Sequence, residues 1–305
     1  MHDLLVVGEI NVDLILQDET IAPVFGQEIV VKDALLTPGS SSVIMACGAA
    51  RLGLDTAFFG LTGADEFGAF MRREMAKLGV DVSRVVADPA LRTGLTVSLS
   101  TAKDRAMITF MGSIDALTAD RVPDDLLGSA RHLHCGSFFL QERLRPGLPD
   151  LFRRARARGL TVSLDLGWDP EGRWGSELER VIDLVDVLVP NETEALHLTG
   201  ADTVEEALER LAARVPTVAV KLGPQGAAAA SGAERARAEA IPATVVDTTG
   251  AGDSFNAGFI YGYLKGWPLE RALRLGCACG SLSTEAAGGT TAQPTLARAM
   301  EAAGL

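Results

Sequence analysis

The feature that most constrains how this chain can fold is an alternation of short apolar runs with segments of helical periodicity. "LLVVGEI" (4–10), "TAFFGL" (56–61), "HLHCGSF" (132–138), "TVSLDLG" (161–167), "VDVLVP" (185–190) and "TVAVKLG" (217–223) have the length and composition of buried strands. Between them, "SSVIMACGAARLG" (41–53), "FGAFMRREMAKLG" (67–79), "LPDLFRRARARG" (148–159) and "TVEEALERLAARV" (203–215) repeat their apolar residues at three and four. Such alternation implies βαβ units: an α/β fold in three layers, with a mostly parallel central sheet and helices on both faces. Ligands of such sheets lie beyond the carboxyl ends of the strands. The run "FRRARARG" reads as a solvated helix face.

Two segments break the alternation. "LTVSLSTAKDRAMITFMGS" (95–113) has two strand-like runs around a polar turn, and 13–38 is strand-like and loop-like without a helix. An isolated hairpin is marginal in water, so the two are expected to pair into one small sheet, a lid on a single domain spanning 1–305. Leu95, Val97, Ile108 and Phe110 would leave one face of that lid apolar. Exposed apolar faces find partners, and the expectation is a homodimer through the lid.

Composition narrows the partners. A net charge of -12 argues against nucleic acid, whose binders usually carry a basic excess. No apolar run reaches membrane-spanning length, and the first residues lack the basic start of a signal peptide. Cys47, Cys135, Cys277 and Cys279 have no disulfide or zinc spacing, so the chain is read as cytoplasmic, with Cys277 and Cys279 packing on a helix. His2, His132, His134 and His197 form no metal-ligand spacing. His132 and His134 alternate on one strand and are expected to make polar contacts near the sheet edge. Trp168 and Trp174 would either wall the crevice or simply pack.

Chemistry concentrates in "VVDTTGAGDSFNAGFIYGYLKG" (245–266). Gly250, Ala251 and Gly252 lead into an amphipathic segment, so a helix starting there would point its free amides outward as an anion site. Asp253 is either an N-cap or a general base, since a carboxylate beside a bound phosphate is useful when it takes a proton.

"DTTGAGDSFNAGF" resembles the C-terminal motif of the ribokinase-like (PfkB) sugar and nucleoside kinases. Four further motifs follow that family's order: "GEINVD" (8–13), "GLTGADEFG" (60–68), "PNETEA" (190–195) and "KLGPQGA" (221–227). The resemblance spans essentially the whole chain. It implies ATP and Mg²⁺ as cofactors and a small sugar or sugar-like substrate. Asp253 would be the base, and the amides of Gly250, Ala251 and Gly252 the cradle of the transferring phosphoryl group. Asn191 and Glu194 would organise the magnesium-bound phosphates; otherwise they form a capped turn with a solvated acid. Lys221, Gly223 and Gly226 match the nucleotide turn. Asp247 and Thr249, helped by 286–293, match positions that hold a monovalent cation such as K⁺ in many relatives; otherwise Asp247 caps the turn.

On the substrate side the resemblance points to Asn11, Asp13, Gly39, Ser40 and Ser41. The chain departs from the family there: Ser40 stands for a second glycine and Ile44 for an asparagine, which puts ribose in doubt as the substrate. Gln141 and Arg105 could reach the pocket but are read as surface residues. A nucleoside kinase and a non-catalytic sensing relative are the alternatives. A nicotinamide dehydrogenase is excluded, because the first strand lacks G-x-G-x-x-G.

Overall fold

Leu4–Val7 (β1), Thr56–Phe59 (β4) and His132–Cys135 (β9) are buried at every residue, the signature of strands covered on both faces. The computed structural model describes residues 1–101, 105–169, 172, 174 and 177–305. The polar turn of the 95–113 segment falls at 102–104, and part of "GWDPEGRW" at 170, 171 and 173, outside the described residues.

Three further strands continue the parallel array: Thr161–Leu164 (β10), Val187–Leu188 (β11) and Thr217–Lys221 (β12). Ala227–Ser231 (β13) and Glu234–Ala238 (β14) close one edge as antiparallel hairpins. Among the described residues the main sheet has the order β14-β13-β12-β11-β10-β9-β1-β4. One face carries Ser41–Arg51 (α1), Glu66–Lys77 (α2), Ala251–Leu264 (α7), Leu269–Ser283 (α8) and Leu296–Ala303 (α9). The other carries Asp124–Leu127 (α3), Leu148–Arg156 (α4), Glu192–Thr199 (α5) and Val204–Ala212 (α6). Odd and even residues of β1 divide between the two cores, Leu5 and Val7 on one side and Leu4 and Val6 on the other. The α/β architecture with a mostly parallel sheet is thus the one the alternation implies.

A second sheet stands apart from the first. Asn11–Gln17 (β2) pairs antiparallel with Asp33–Pro38 (β3) and parallel with Gly94–Ser100 (β7). β7 pairs antiparallel with Arg105–Phe110 (β8). Register lines up rows across the four strands: Leu36, Leu14, Val97 and Ile108 on one face, Thr37, Asp13, Thr96 and Thr109 on the other. Leu61–Gly63 (β5) and Val86–Asp88 (β6) form a separate short pair.

All four cysteines are free and buried. Cys279 packs where α8 crosses α7: a Cβ on Gly258 would lie 2.8 Å from its sulfur. Trp174 stacks on His197 at 4.9 Å and meets Phe139 edge-on, so it packs rather than walling a crevice. No helix among the described residues is long and apolar enough to cross a membrane.

His132 and His134 lie in the middle of the sheet, not near its edge as expected. β9 sits between β10 and β1, so both rings are fully enclosed. His132 bonds Thr161 and Ser163 at 2.7 Å each, and His134 bonds Ser163 at 2.7 Å. Burial, with His134 adding to it, pushes His132 down to about 3. The unfolded chain therefore binds a proton there that the folded chain refuses, which costs stability in acid. The unfolding free energy of the wild type minus that of His132→Asn should rise by up to about 1.4 kcal/mol per pH unit between about 3 and 6.5. It should level off above about pH 7. Denaturant titrations across that range check it, and a flat difference would mean that the ring protonates normally.

Candidate active site

The parallel strands end on one side, and polar residues collect just beyond them. β1 runs into Glu9, β10 into Asp165 and β11 into Asn191, while β12 ends on Lys221. With the N-termini of α1 and α7 and one face of the second sheet, they line a crevice of about 880 Å³. Asn11, Asp13, Ser40 and Ser41 line one end. Asn191, Glu194, Lys221, Gly223, Gly226, Thr249, Gly250, Ala251, Gly252 and Asp253 line the rest. Gly39 and Asp247 are not among the crevice's lining residues, and Asp247 lines an adjoining cavity of about 700 Å³ with Arg105 and Thr248.

Gly250 ends the loop before α7 at φ 72°, in the left-handed region, and no side chain caps the helix. Asp253 is therefore not the N-cap; it sits in the first turn. The leading amides of a helix have no partner within it, so those of this turn are available to an anion. A Cβ on Gly252 would lie in ordinary contact with Lys221 Nζ, 3.5 Å away, so this turn faces the ammonium group.

Asp253 accepts a hydrogen bond from Ser41 Oγ at 2.5 Å. Burial first, then the Asp165 charge, push its carboxyl up to about 7, against the pull of Ser41 and Lys221. Lys221 Nζ donates to Asp165 Oδ2 at 3.0 Å and to Asn256 Oδ1 at 3.3 Å, and Asn256 Nδ2 donates to Asp165 Oδ2 at 2.5 Å. Burial works against the ammonium, but Asp165, Glu194 and Asp253 outweigh it and raise its pKa.

Asn191 and Glu194 form a reciprocal capping box at the start of α5: Asn191 N donates to Glu194 Oε2 at 2.9 Å, and Glu194 N to Asn191 Oδ1 at 2.9 Å. The acid is not solvated, however. Glu194 is 3% exposed, and burial, then Asp165, push it up to about 7. Acids so raised have too little positive charge around them. Oxygen ligands short of counter-charge, next to free amides, fit a hydrated Mg²⁺ and its phosphates.

Asn11 Nδ2 donates to Asp13 Oδ1 at 2.9 Å. A Cβ on Gly39 would fall 2.1 Å from that oxygen, so Gly39 makes room for the pair. Burial, opposed by Asn11 and reinforced by Asp247, raises Asp13 to about 7. Gly223 and Gly226 both hold positive φ, and a Cβ on Gly226 would strike Ala238 O at 2.0 Å, so these glycines are required by the turn itself.

Asp247 Oδ1 accepts from Thr249 N at 2.9 Å and Thr249 Oγ1 at 2.7 Å, and Oδ2 from Gly288 N at 2.9 Å. Arg105, from β8, reaches Asp247 Oδ1 at 3.3 Å and Thr249 Oγ1 at 2.8 Å. Among the described residues no three acids, cysteines or histidines are grouped to hold a metal. Arg105 thus lines the crevice, and Gln141 is 2% exposed in the core, donating to Gly136 O at 2.7 Å. Gln141 is thus not the surface residue expected, whereas Arg105 is exposed as expected and still reaches the crevice; a polar side chain beside apolar strand ends leaves its depth undecided.

Glu9, Asp165 and Asn256 escaped the sequence reading. Glu9 and Asp165 each sit at the end of an apolar strand-like run, in "VVGEI" and "SLDLG", where a charge is unexpected. That position was the available signal.

The pfkB family carbohydrate kinase profile matches residues 1–296. A fructokinase of Klebsiella pneumoniae is 34% identical over 277 residues, covering 85% of this chain and 90% of that one. A 2-dehydro-3-deoxygluconokinase of Bacillus subtilis is 31% identical over 264 residues, covering 82% of each. Among solved structures, an E. coli protein assigned as a ribokinase II, in complex with ATP and Mg²⁺, superposes at a TM-score of 0.88 with 26% identity over 99% of each chain. With five motifs in order and a profile match over nearly its full length, the chain belongs to the PfkB family of carbohydrate kinases.

Proposed function

We propose that the protein transfers the γ-phosphoryl group of ATP to a hydroxyl of a small sugar or sugar-like alcohol, with Asp253 as general base. The observation that carries this reading is the half-buried Asp253 carboxylate beside an uncapped glycine turn, in a crevice continuous with Asn11 and Asp13. Asp253 takes the hydroxyl proton as the substrate oxygen bonds to the γ-phosphorus and the bond to the departing ADP oxygen breaks. The amides of Gly250, Ala251 and Gly252 stabilise the charge developing on the phosphoryl oxygens. Asn191 and Glu194 would hold Mg²⁺ through its waters; the ion supplies charge neutralisation for the phosphates. Lys221 shields the nucleotide phosphates from Asp165.

Asn11 and Asp13 offer a donor and acceptors to substrate hydroxyls. Under the second sheet the crevice is walled by Thr96, Met107, Thr109, Ile114 and Leu140. Among the described residues its one aromatic side chain is Phe255 of α7, so no aromatic platform for a nucleobase stands under the sheet, which favours a sugar over a nucleoside. The second sheet is read as a lid whose polar row closes over the substrate. Ser40 and Ser41 are engaged with Glu9 and Asp253, so little of this turn is left for ribose. For Asp247 and Thr249, the Gly288 contact brings 286–293 beside Asp247, as a K⁺ site would need, while Gly288 N and Arg105 both compete for its carboxylate. The K⁺ requirement of turnover decides between the two charges.

The test is ADP release against a panel of sugars, sugar acids and nucleosides. One sugar or sugar acid should exceed ribose, and Asp253→Asn should lower turnover on it by about 10²–10⁴ while ATP binding changes little. Because the folded carboxyl sits at about 7, the wild-type rate should fall as pH drops below that value and the variant should lack this limb. More than about half of wild-type turnover in Asp253→Asn would end the reading.

Glu194→Gln should raise the Mg²⁺ concentration needed for half-maximal rate, since a negative partner of the hydrated ion is lost. An unchanged requirement returns Glu194 to capping alone.

The outer row of the lid is apolar, with Leu36 39% and Ile108 62% exposed. We infer a homodimer through this face. Light scattering should give twice the chain mass, and Ile108→Asp should shift it towards one; a wild-type monomer overturns the inference.

A further inference from the structure

The run Ser40-Ser41-Ser42 is divided between two carboxylates. Ser40 Oγ donates to Glu9 O at 2.7 Å and Glu9 Oε1 at 3.0 Å, and accepts from Val43 N at 3.1 Å as the N-cap of α1. Ser42 N donates to Glu9 Oε1 at 3.1 Å, and Ser42 Oγ to Glu9 Oε2 at 2.6 Å. Glu9 is 3% exposed, so this clamp is buried. The middle serine is left facing the other way, with its hydroxyl on Asp253 Oδ1 at 2.5 Å. α1 and α7 are thereby joined at their N-termini through one side chain from each.

We propose that Ser41 is a positioning residue for the base. It holds Asp253 Oδ1 so that Oδ2 is the oxygen that receives the substrate proton, and Glu9 sets Ser41 by gripping Ser40 and Ser42. Ser40 supports this division of labour, for it keeps φ at 71°, a conformation L-residues rarely adopt. A glycine would relieve that strain, and it would also lose the hydroxyl that caps α1 and reaches Glu9.

The charged groups facing Asp253 are Asp165 beyond β10, Lys221 at the end of β12 and Glu9 beyond β1. α8, packed along α7, meets the first turn of α7 here through Gly280, on which a Cβ would lie 3.0 Å from Ala251 O. Ser41 is thus the neutral donor among these neighbours, and its hydrogen bond favours the ionised carboxylate. Removing it should move the ionisation of Asp253 to higher pH.

The inference rests on Asp253 being the base, and two measurements separate the two ideas. Carbon-13 labelling of aspartate carboxyls, with the Asp253 signal assigned from Asp253→Asn, follows the ionisation in the ligand-free protein without turnover. Ser41→Ala should raise the midpoint by about one pH unit, Ser41→Thr should restore it, and Glu9→Gln should raise it partway. An unmoved midpoint in Ser41→Ala overturns the positioning role. In kinetics on the best substrate of the panel, the acid limb of kcat/KM should move with it. That is a roughly tenfold loss at pH 6, with much less at pH 9 and KM for the sugar within about twofold. A loss confined to the sugar KM would make Ser41 a substrate contact and overturn the proposal. A moved midpoint beside an unmoved kinetic limb would instead reject Asp253 as the base.

Discussion

One ammonium group facing too many carboxylates governs this site. Lys221 stands against Asp165, Glu194 and Asp253, and Glu9 adds its field on Asp253 from the far side. Strand direction makes this gathering unavoidable: parallel strands deliver their last residues to one edge, and β1, β10, β11 and β12 are neighbours or near neighbours there. In the ligand-free protein burial first, and then this surplus, pushes Asp253 and Glu194 up to about 7. A divalent cation would reverse that push, so under the proposed mechanism cation loading and ionisation of the proposed base would be one electrostatic event.

Several residues do structural and chemical duty at once. Asn191 and Glu194 are an ordinary capping box by hydrogen-bond pattern, yet the acid is buried at the mouth of the crevice. Gly226 cannot carry a side chain because of β14, and Gly39 cannot because of Asp13. A substitution at any of these would damage fold and site together, so stability has to be measured beside activity.

Periodicity made the layers legible, because buried parallel strands and amphipathic helices leave distinct patterns. The glycine turn before α7 was legible from its spacing and its acid. Depth was not: His132 and His134 were placed near an edge, and Gln141 on the surface, because strand order is a long-range property that no local window contains. Glu9 and Asp165 were hidden inside apolar runs, where a single acid reads as the end of a strand. The tie between Ser41 and Asp253 spans 212 positions of sequence, and no spacing rule reaches that far.

The second sheet puts opposite chemistry on its two faces by simple alternation, with Asp13 inward and Leu14 outward on the same strand. Deleting one residue from β2 would turn that strand over, carrying leucine into the crevice and aspartate onto the outer surface. Strand length here is therefore frozen, while the long connection at 18–32 is free to drift. Insertions and deletions that separate this kinase from its relatives should accumulate in that connection, where divergence in outer shape leaves the chemistry beneath untouched.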